Sequence, residues 1–400
     1  MRGITKGMNF SVYIHIPFCQ HRCHYCDFVT TTGKESLIPR YVDALCREIC
    51  IANSLMGKVV VHSIYFGGGT PSLIPSTAYE QILKTLDDQF ELTPDCEISL
   101  EANPGTITEV YLNDLFSLGI NRLSLGVQST DSFDLVRLDR IHTLDDVLSG
   151  VYHARRAGFT NLNLDLIFGL PWQSLDSWKH SLSRAISLQP EHFSLYSLII
   201  EPGTALDAWY QKGLIAQQDQ DLEADMYEFA MNMLNEAGYY QYEISNWAKA
   251  SAVRDLRSRH NLQYWLNQPY FGFGAAAHGY VGNKRTANIP LIEDYIHRIT
   301  DRNTNDLGSA YFPAAISLSE VDKATQMKDF MMLGLRLVED GVSQIDFMDR
   351  YGRELETEFQ VEIKQLLKQG LIEWVTDSRE RLRLTKRGVF LANQVFMQFV

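Results

Sequence analysis

Six β-rich runs alternate with amphipathic stretches through roughly the first half of the chain, and this order constrains the fold more than composition does. The runs cover residues 12–16, 60–66, 97–101, 122–128, 162–168 and 193–199. Their β-branched, leucine and aromatic content predicts strands packed on both faces. Apolar residues at helical spacing fill 79–90, 109–118, 144–157 and 175–187 between them. Crossovers of that length imply parallel neighbours. The expected fold class is therefore α/β: a partial (β/α)6 barrel with additional strands, followed by a small C-terminal winged-helix-like domain. In such folds reactive groups collect at the C-terminal ends of the strands.

The chemistry-bearing residues fall at those ends. Cys19, Cys23 and Cys26 follow the first run with the spacing C-x3-C-x2-C. Gly67-Gly68-Gly69-Thr70 follows the second run, Glu101 ends the third and Gln128 the fourth. Three thiolates so spaced can hold three corners of a 4Fe-4S cluster and leave its fourth iron open to a ligand. Zinc is the alternative, with His15, His21 or His24 as a fourth ligand, although structural zinc sites more often pair two C-x2-C knuckles. The glycines let backbone approach a ligand closely, or simply form a tight turn before Pro71. A carboxylate ending an apolar strand, as Glu101 does, needs a partner, and a ligand ammonium suits it. Cys46 and Cys50, one helical turn apart, and Cys96 read as buried structural residues.

At 400 residues the chain exceeds one small core. The expected division is 1–210 for the core with the cysteine loop, 211–295 for an extension and 296–400 for the C-terminal domain. In the latter two, helices are expected over 224–237, 329–338, 346–369 and 387–399, a strand over 240–244 and a hairpin from 371–375 and 381–384. That wing carries Arg379, Arg381 and Arg383 among Glu373, Asp377 and Glu380, which suggests a solvated surface. A net charge of −13 speaks against nucleic acid as a partner. No apolar run approaches the ~20 residues of a membrane span. Residues 1–7 carry charge with no apolar stretch behind them, so a cytoplasmic location is expected.

The run Tyr13-Ile14-His15-Ile16-Pro17-Phe18-Cys19, continued by Cys23, Tyr25 and Cys26, resembles the radical S-adenosylmethionine superfamily. Within it, the chain is similar to the oxygen-independent coproporphyrinogen III oxidases and their relatives. The likeness continues through 67–71, 101–104, 125–128, 165–171 and 201–204. It implies Cys19, Cys23 and Cys26 as cluster ligands. It implies Tyr13, Tyr25, Gly68, Gly69, Thr70, Glu101, Gln128, Arg140 and Asp165 as contacts of S-adenosylmethionine or its surroundings. A structural ion pair is the alternative for Arg140 and Asp165. In that superfamily one cluster electron breaks the sulfonium bond to give a 5′-deoxyadenosyl radical. An electron donor such as flavodoxin or ferredoxin is implied with it.

Two departures separate the chain from the oxidases. Phe28 stands where they carry a further cysteine, and only 18 residues precede Cys19, without their long N-terminal segment. Both features, and the run His260-Asn261-Leu262-Gln263-Tyr264-Trp265, resemble the haem chaperone group called HemW. That resemblance implies haem as cargo, with His260, Tyr264 and Trp265 as candidate contacts. A helix cap or a buried hydrogen-bonded pair is the other reading of His260, and His278 competes as a ligand. Trp172 is expected to narrow the mouth locally. The implied function is a chaperone passing haem to haem-requiring proteins. The runner-up is oxidative decarboxylation of coproporphyrinogen III to protoporphyrinogen IX, and the third is a nucleic-acid-binding regulator acting through the wing. A cluster-dependent homodimer and peripheral membrane contact through acceptor proteins are further implications.

Overall fold

The computed structural model describes residues 9–53, 59–301, 312–375 and 380–400. The charged stretch 1–7 and the wing residues Asp377, Ser378 and Arg379 lie outside the described residues. The six expected strands are present: β1 (Phe10–Ile16), β2 (Val60–Gly68), β3 (Glu91–Ala102), β4 (Arg122–Gln128), β5 (Leu162–Phe168) and β6 (His192–Ser197). Each pairs with the next in parallel. β3 starts earlier than its apolar run, because Val60 and Val61 of β2 offer Glu91 and Leu92 a pairing edge.

Beyond β6 the sheet gains β7 (Tyr239–Glu243) and β8 (Asn246–Lys249). Beyond β1 it gains β9 (Tyr270–Phe273), β10 (His278–Val281), β11 (Lys284–Asn288) and β12 (Ala315–Glu320). Among the described residues this is one twelve-stranded mixed sheet. Since β9 takes the free edge of β1 and β8 that of β6, β1 and β6 do not pair and the barrel stays open.

The strands are not apolar on both faces, and here the sequence expectation is corrected. Side chains alternate along a strand, and one set is almost wholly apolar. Val12, Ile14 and Ile16, then Leu123, Leu125 and Val127, then Leu162, Leu164 and Leu166 join one core with Ile82, Leu112, Val147 and Trp178 of the covering helices. The opposite set is polar: Tyr13, Glu101, Arg122, Asn163, Asp165, Ser194 and Tyr196 face a common cavity. On a flat sheet, five strand spacings of ~4.8 Å would hold β1 and β6 roughly 24 Å apart. Tyr13 and Tyr196 line the same cavity, so the sheet curls around it.

A second core gathers the C-terminal residues around Met331, Phe347, Leu355, Ile363, Leu382 and Val395. Its hairpin, β14 (Ile372–Trp374) with β15 (Arg381–Leu384), gains a third strand, β13 (Val342–Ser343), on the β15 edge. The single helix expected over 346–369 is instead Gln344–Tyr351, Leu355–Glu358 and Gln360–Lys368. Gly352 ends the first of these in the left-handed conformation (φ 65°), which an L-residue adopts at a cost. The last helix is likewise broken, into Lys386–Phe390 and Ala392–Phe396. In the wing, Arg383 pairs with Glu373 at 2.9 Å and Arg381 donates to the Asp340 carbonyl at 3.0 Å. Cys46 and Cys96 are buried as expected, whereas Cys50 is exposed. Among the described residues no helix is long and apolar enough to cross a membrane.

One buried carboxylate ties the cysteine-bearing end of the sheet to the added strands. Glu48, on helix Ile38–Asn53, accepts hydrogen bonds from the Gly274 amide (2.8 Å), Tyr295 hydroxyl (2.7 Å) and Asn288 amide (2.8 Å). Beside it Tyr41 donates to the His15 carbonyl at 2.7 Å and accepts from the Ala275 amide at 2.9 Å. Burial pushes the Glu48 carboxyl from its ordinary 4.5 up to about 7, against the lowering effect of its three donors. The native state therefore holds this proton more tightly than the unfolded chain. The stability so contributed is complete below pH 4.5 and is lost as pH rises toward about 7. Relative to Glu48→Gln, which cannot titrate, wild-type unfolding free energy should fall by about 3 kcal/mol across that window and stay level above it. Denaturant titrations of both proteins at several pH values check this; parallel curves would contradict it.

Candidate functional site

The loop after β1 is held shut at its base. Cys19 donates its amide to the Thr31 carbonyl at 2.9 Å, and Thr31 donates to Pro17 at 2.8 Å. Farther out, the His24 amide reaches the Leu138 carbonyl at 3.3 Å, and Leu206 donates to the His24 carbonyl at 3.1 Å. The loop is thereby fastened to the segments following β4 and β6. Cys19, Cys23 and Cys26 all line a cavity of about 500 Å³ at the C-terminal ends of the strands.

Burial pushes the Cys19 and Cys26 thiols up, so as bare cysteines they would stay protonated and unreactive. Iron is a partner that would favour their thiolates. Two donors also point at the sulfurs, Thr70 Oγ1 to Cys19 and Arg140 Nη1 to Cys23, each at 3.5 Å. Among the described residues no three ligand side chains converge tightly enough for a single metal ion. A cluster whose corners are ligated separately does not require them to. The donor set fits such a group.

The glycine run borders the cysteines directly. Gly69 and Thr70 donate their amides to the Ile16 and Phe18 carbonyls, both at 2.8 Å. A Cβ on Gly69 would meet the Phe18 carbonyl oxygen at 2.7 Å. Gly68 has φ +116°, and a Cβ there would strike the His15 ring at 2.5 Å. These are demands for glycine beyond those of an ordinary turn. The Gly68 amide donates to Glu101 at 3.1 Å, and Tyr65 donates to the same carboxyl at 2.8 Å. Burial, then the nearby Asp165, pushes the Glu101 carboxyl up to about 7. A bound cation would favour its ionised form.

On the opposite wall, Arg140 donates to the Gly126 carbonyl at 2.8 Å and contacts the Tyr25 hydroxyl at 3.5 Å, while its buried Nε has no partner. Asp165 accepts from Ser124 at 2.9 Å and from Asn163 at 2.8 Å. No ion pair between Arg140 and Asp165 is found among the described residues. Gln128 sits at φ 64°, an uncommon conformation for a non-glycine residue, and lines the same cavity.

The haem candidates separate. His260 and Tyr264 reach the cavity floor. His260 is 1% exposed. Its Nδ1 bonds Ser63 at 3.2 Å and its Nε2 bonds the Tyr264 hydroxyl at 2.9 Å. Burial, and then the neighbouring His62 and Arg122, push its pKa down to about 3. Neither ring nitrogen is open to iron unless one of these bonds breaks. Trp265 turns away, with the Arg336 guanidinium 4.5 Å over its ring. His278 lies exposed on β10. Trp172 does not line the cavity; its Nε1 donates to Asp134 at 3.0 Å.

Sequence reasoning missed Arg122, Tyr65, Asn163 and Tyr196, all of which line the cavity. Arg122 is 2% exposed with an unpartnered Nε. The available signal was strict polar–apolar alternation, as in Arg122-Leu123-Ser124-Leu125 and Asn163-Leu164-Asp165-Leu166.

Residues 13–185 match the Radical SAM superfamily, and residues 321–391 match the HemN C-terminal domain. The chain is 39% identical over 391 residues to "Heme chaperone HemW" of Bacillus subtilis, covering 98% of this chain and 99% of the relative. It is 32% identical to the protein of the same name from Lactococcus lactis subsp. lactis, covering 98% and 97%. Among solved structures, coproporphyrinogen III oxidase (HemN) from Escherichia coli superposes with a TM-score of 0.81 at 22% identity, over 98% of this chain and 90% of that one. The last likeness establishes a common fold. Taken with the full-length relatives, it shows that this chain belongs to the HemW family of radical S-adenosylmethionine proteins.

Proposed function

We propose that the protein is a cytoplasmic haem chaperone. It binds haem and passes it to haem-requiring proteins, and it carries a 4Fe-4S cluster on Cys19, Cys23 and Cys26 with S-adenosylmethionine at the open corner. The observation that carries this reading is the convergence of three cysteines, a side-chain-free glycine cradle and a buried carboxyl on one cavity, in a chain whose full-length relatives are named haem chaperones. When bound, the cluster would supply one electron at low potential from a donor such as flavodoxin or ferredoxin. This chain's residues do the rest. Gly68 and Gly69 admit the methionine end of the ligand against backbone, and Glu101 receives its ammonium. Arg140 and Thr70 hold positive charge and a hydroxyl donor beside the sulfurs, while Tyr13, Tyr25, Gln128 and Asp165 complete the wall. Phe28, where oxidases carry cysteine, favours the chaperone over porphyrinogen decarboxylation.

Anaerobically reconstituted protein should bind haem with a Soret band that saturates on titration, and should leave coproporphyrinogen III unchanged. No saturable binding, or appearance of protoporphyrinogen IX, would overturn the reading. Cys26→Ser should lose most cluster iron and sulfide, which elemental analysis measures; retention of both would remove Cys26 from the ligand set. Glu101→Gln keeps the shape but not the charge. It should keep its cluster while weakening S-adenosylmethionine binding about tenfold, the scale of one charge-assisted hydrogen bond. Equilibrium dialysis with the labelled ligand reads that change.

A further inference from the structure

We propose that haem is seated at the mouth of this cavity, with His21 as its axial ligand, and not at the buried His260. The inference rests on the chaperone reading and assigns its cargo a place. Three large apolar side chains stand exposed around the mouth: Phe28 (63%), Ile141 (50%) and Ile199 (67%). They come from three different segments, following β1, β4 and β6. Exposed apolar residues that converge from separate loops on one opening mark a binding surface. A porphyrin face is the apolar plane they would cover, and its iron and propionates ask for two further groups.

Both stand in the same cysteine loop and line the same mouth. His21 Nε2 meets the Asp139 carboxylate at 2.5 Å, and its Nδ1 has no hydrogen-bond partner among the described residues. An imidazole oriented by a carboxylate through one nitrogen and open at the other is the usual state of a metal-binding histidine. His24 shares Asp139 at 3.1 Å, but its Nδ1 is taken by the Arg137 carbonyl at 3.2 Å. Asp139 stands at φ 59° just past the C-terminal end of helix Ser132–Arg137, within reach of both imidazoles. For the propionates, Arg22 spends Nε and Nη2 on the Cys26 carbonyl (3.3 and 3.2 Å), which fixes the guanidinium and leaves Nη1 to an incoming carboxylate.

The test is haem titration of anaerobically reconstituted full-length wild type, His21→Ala, Ile199→Asp and His260→Gln, with cluster iron and sulfide measured on each. His21→Ala should shift the Soret band and weaken binding about tenfold or more, and Ile199→Asp should weaken it about tenfold without that shift. His260→Gln should leave the Soret position unchanged. Ile199 lies outside the cysteine loop, so its variant reports on the mouth even if His21→Ala loses the cluster. Wild type that binds haem while both mouth variants bind equally well, or while His260→Gln alone shifts the spectrum, overturns this seat. Wild type that binds none overturns the chaperone reading itself.

Discussion

Polar side chains on the inner face of β1–β6 set the terms for everything else in this molecule. Removing an amide, carboxyl or guanidinium from water without a partner costs several kcal/mol. The inner face carries many such groups, so the curled sheet is stable only if they satisfy one another or receive a ligand. Some are closed into a local network: Asn163 and Ser124 around Asp165, and His192 between Asn163 and Tyr242. Others are left short, notably the Nε atoms of Arg122 and Arg140. The closed bonds make a rigid floor, and both arginines also line the cavity.

The mouth is built by a different logic. Its groups sit on segments beyond the strand ends, and each segment is pinned by backbone hydrogen bonds to another. The cysteine loop is tied to the glycine run through Ile16 and Phe18, and to the segments after β4 and β6 through His24. Below it, Tyr25 packs beside Leu138, Ile167 and Leu206 in a small apolar cluster of its own. A loop that must present three sulfurs cannot rely on the main core for its shape. This satellite cluster and the cross-loop bonds replace it.

Much of this was legible in the chain, and the remainder was hidden for physical reasons. Strands and crossovers announce themselves because apolar periodicity is local, and the cysteines, read from their spacing, fall with the glycine run and Glu101 at the ends of those strands. The two-faced character of the strands was also written, in runs such as Arg122-Leu123-Ser124-Leu125, but overall apolar content masked it. The fate of His260 was not readable. Whether an imidazole is open or saturated depends on Ser63 and Tyr264, and the first of these lies nearly 200 positions away in sequence. Additional strands were expected, but not where β9–β12 lie: β9 joins β1 only across a long sequence separation, and β10, β11 and β12 build outward from β9. Gly352 breaks a pattern that amphipathicity alone carries through unbroken.

The central claim is that three sulfurs grip an iron–sulfur cube and leave one corner for a sulfonium ligand. Electron paramagnetic resonance of the anaerobically reconstituted, reduced protein, recorded with and without S-adenosylmethionine, tests it most directly. The account predicts the signal of a reduced 4Fe-4S cluster whose g-values move when the ligand is added. A cluster signal indifferent to the ligand, or protein that takes up zinc and shows no signal, would contradict it.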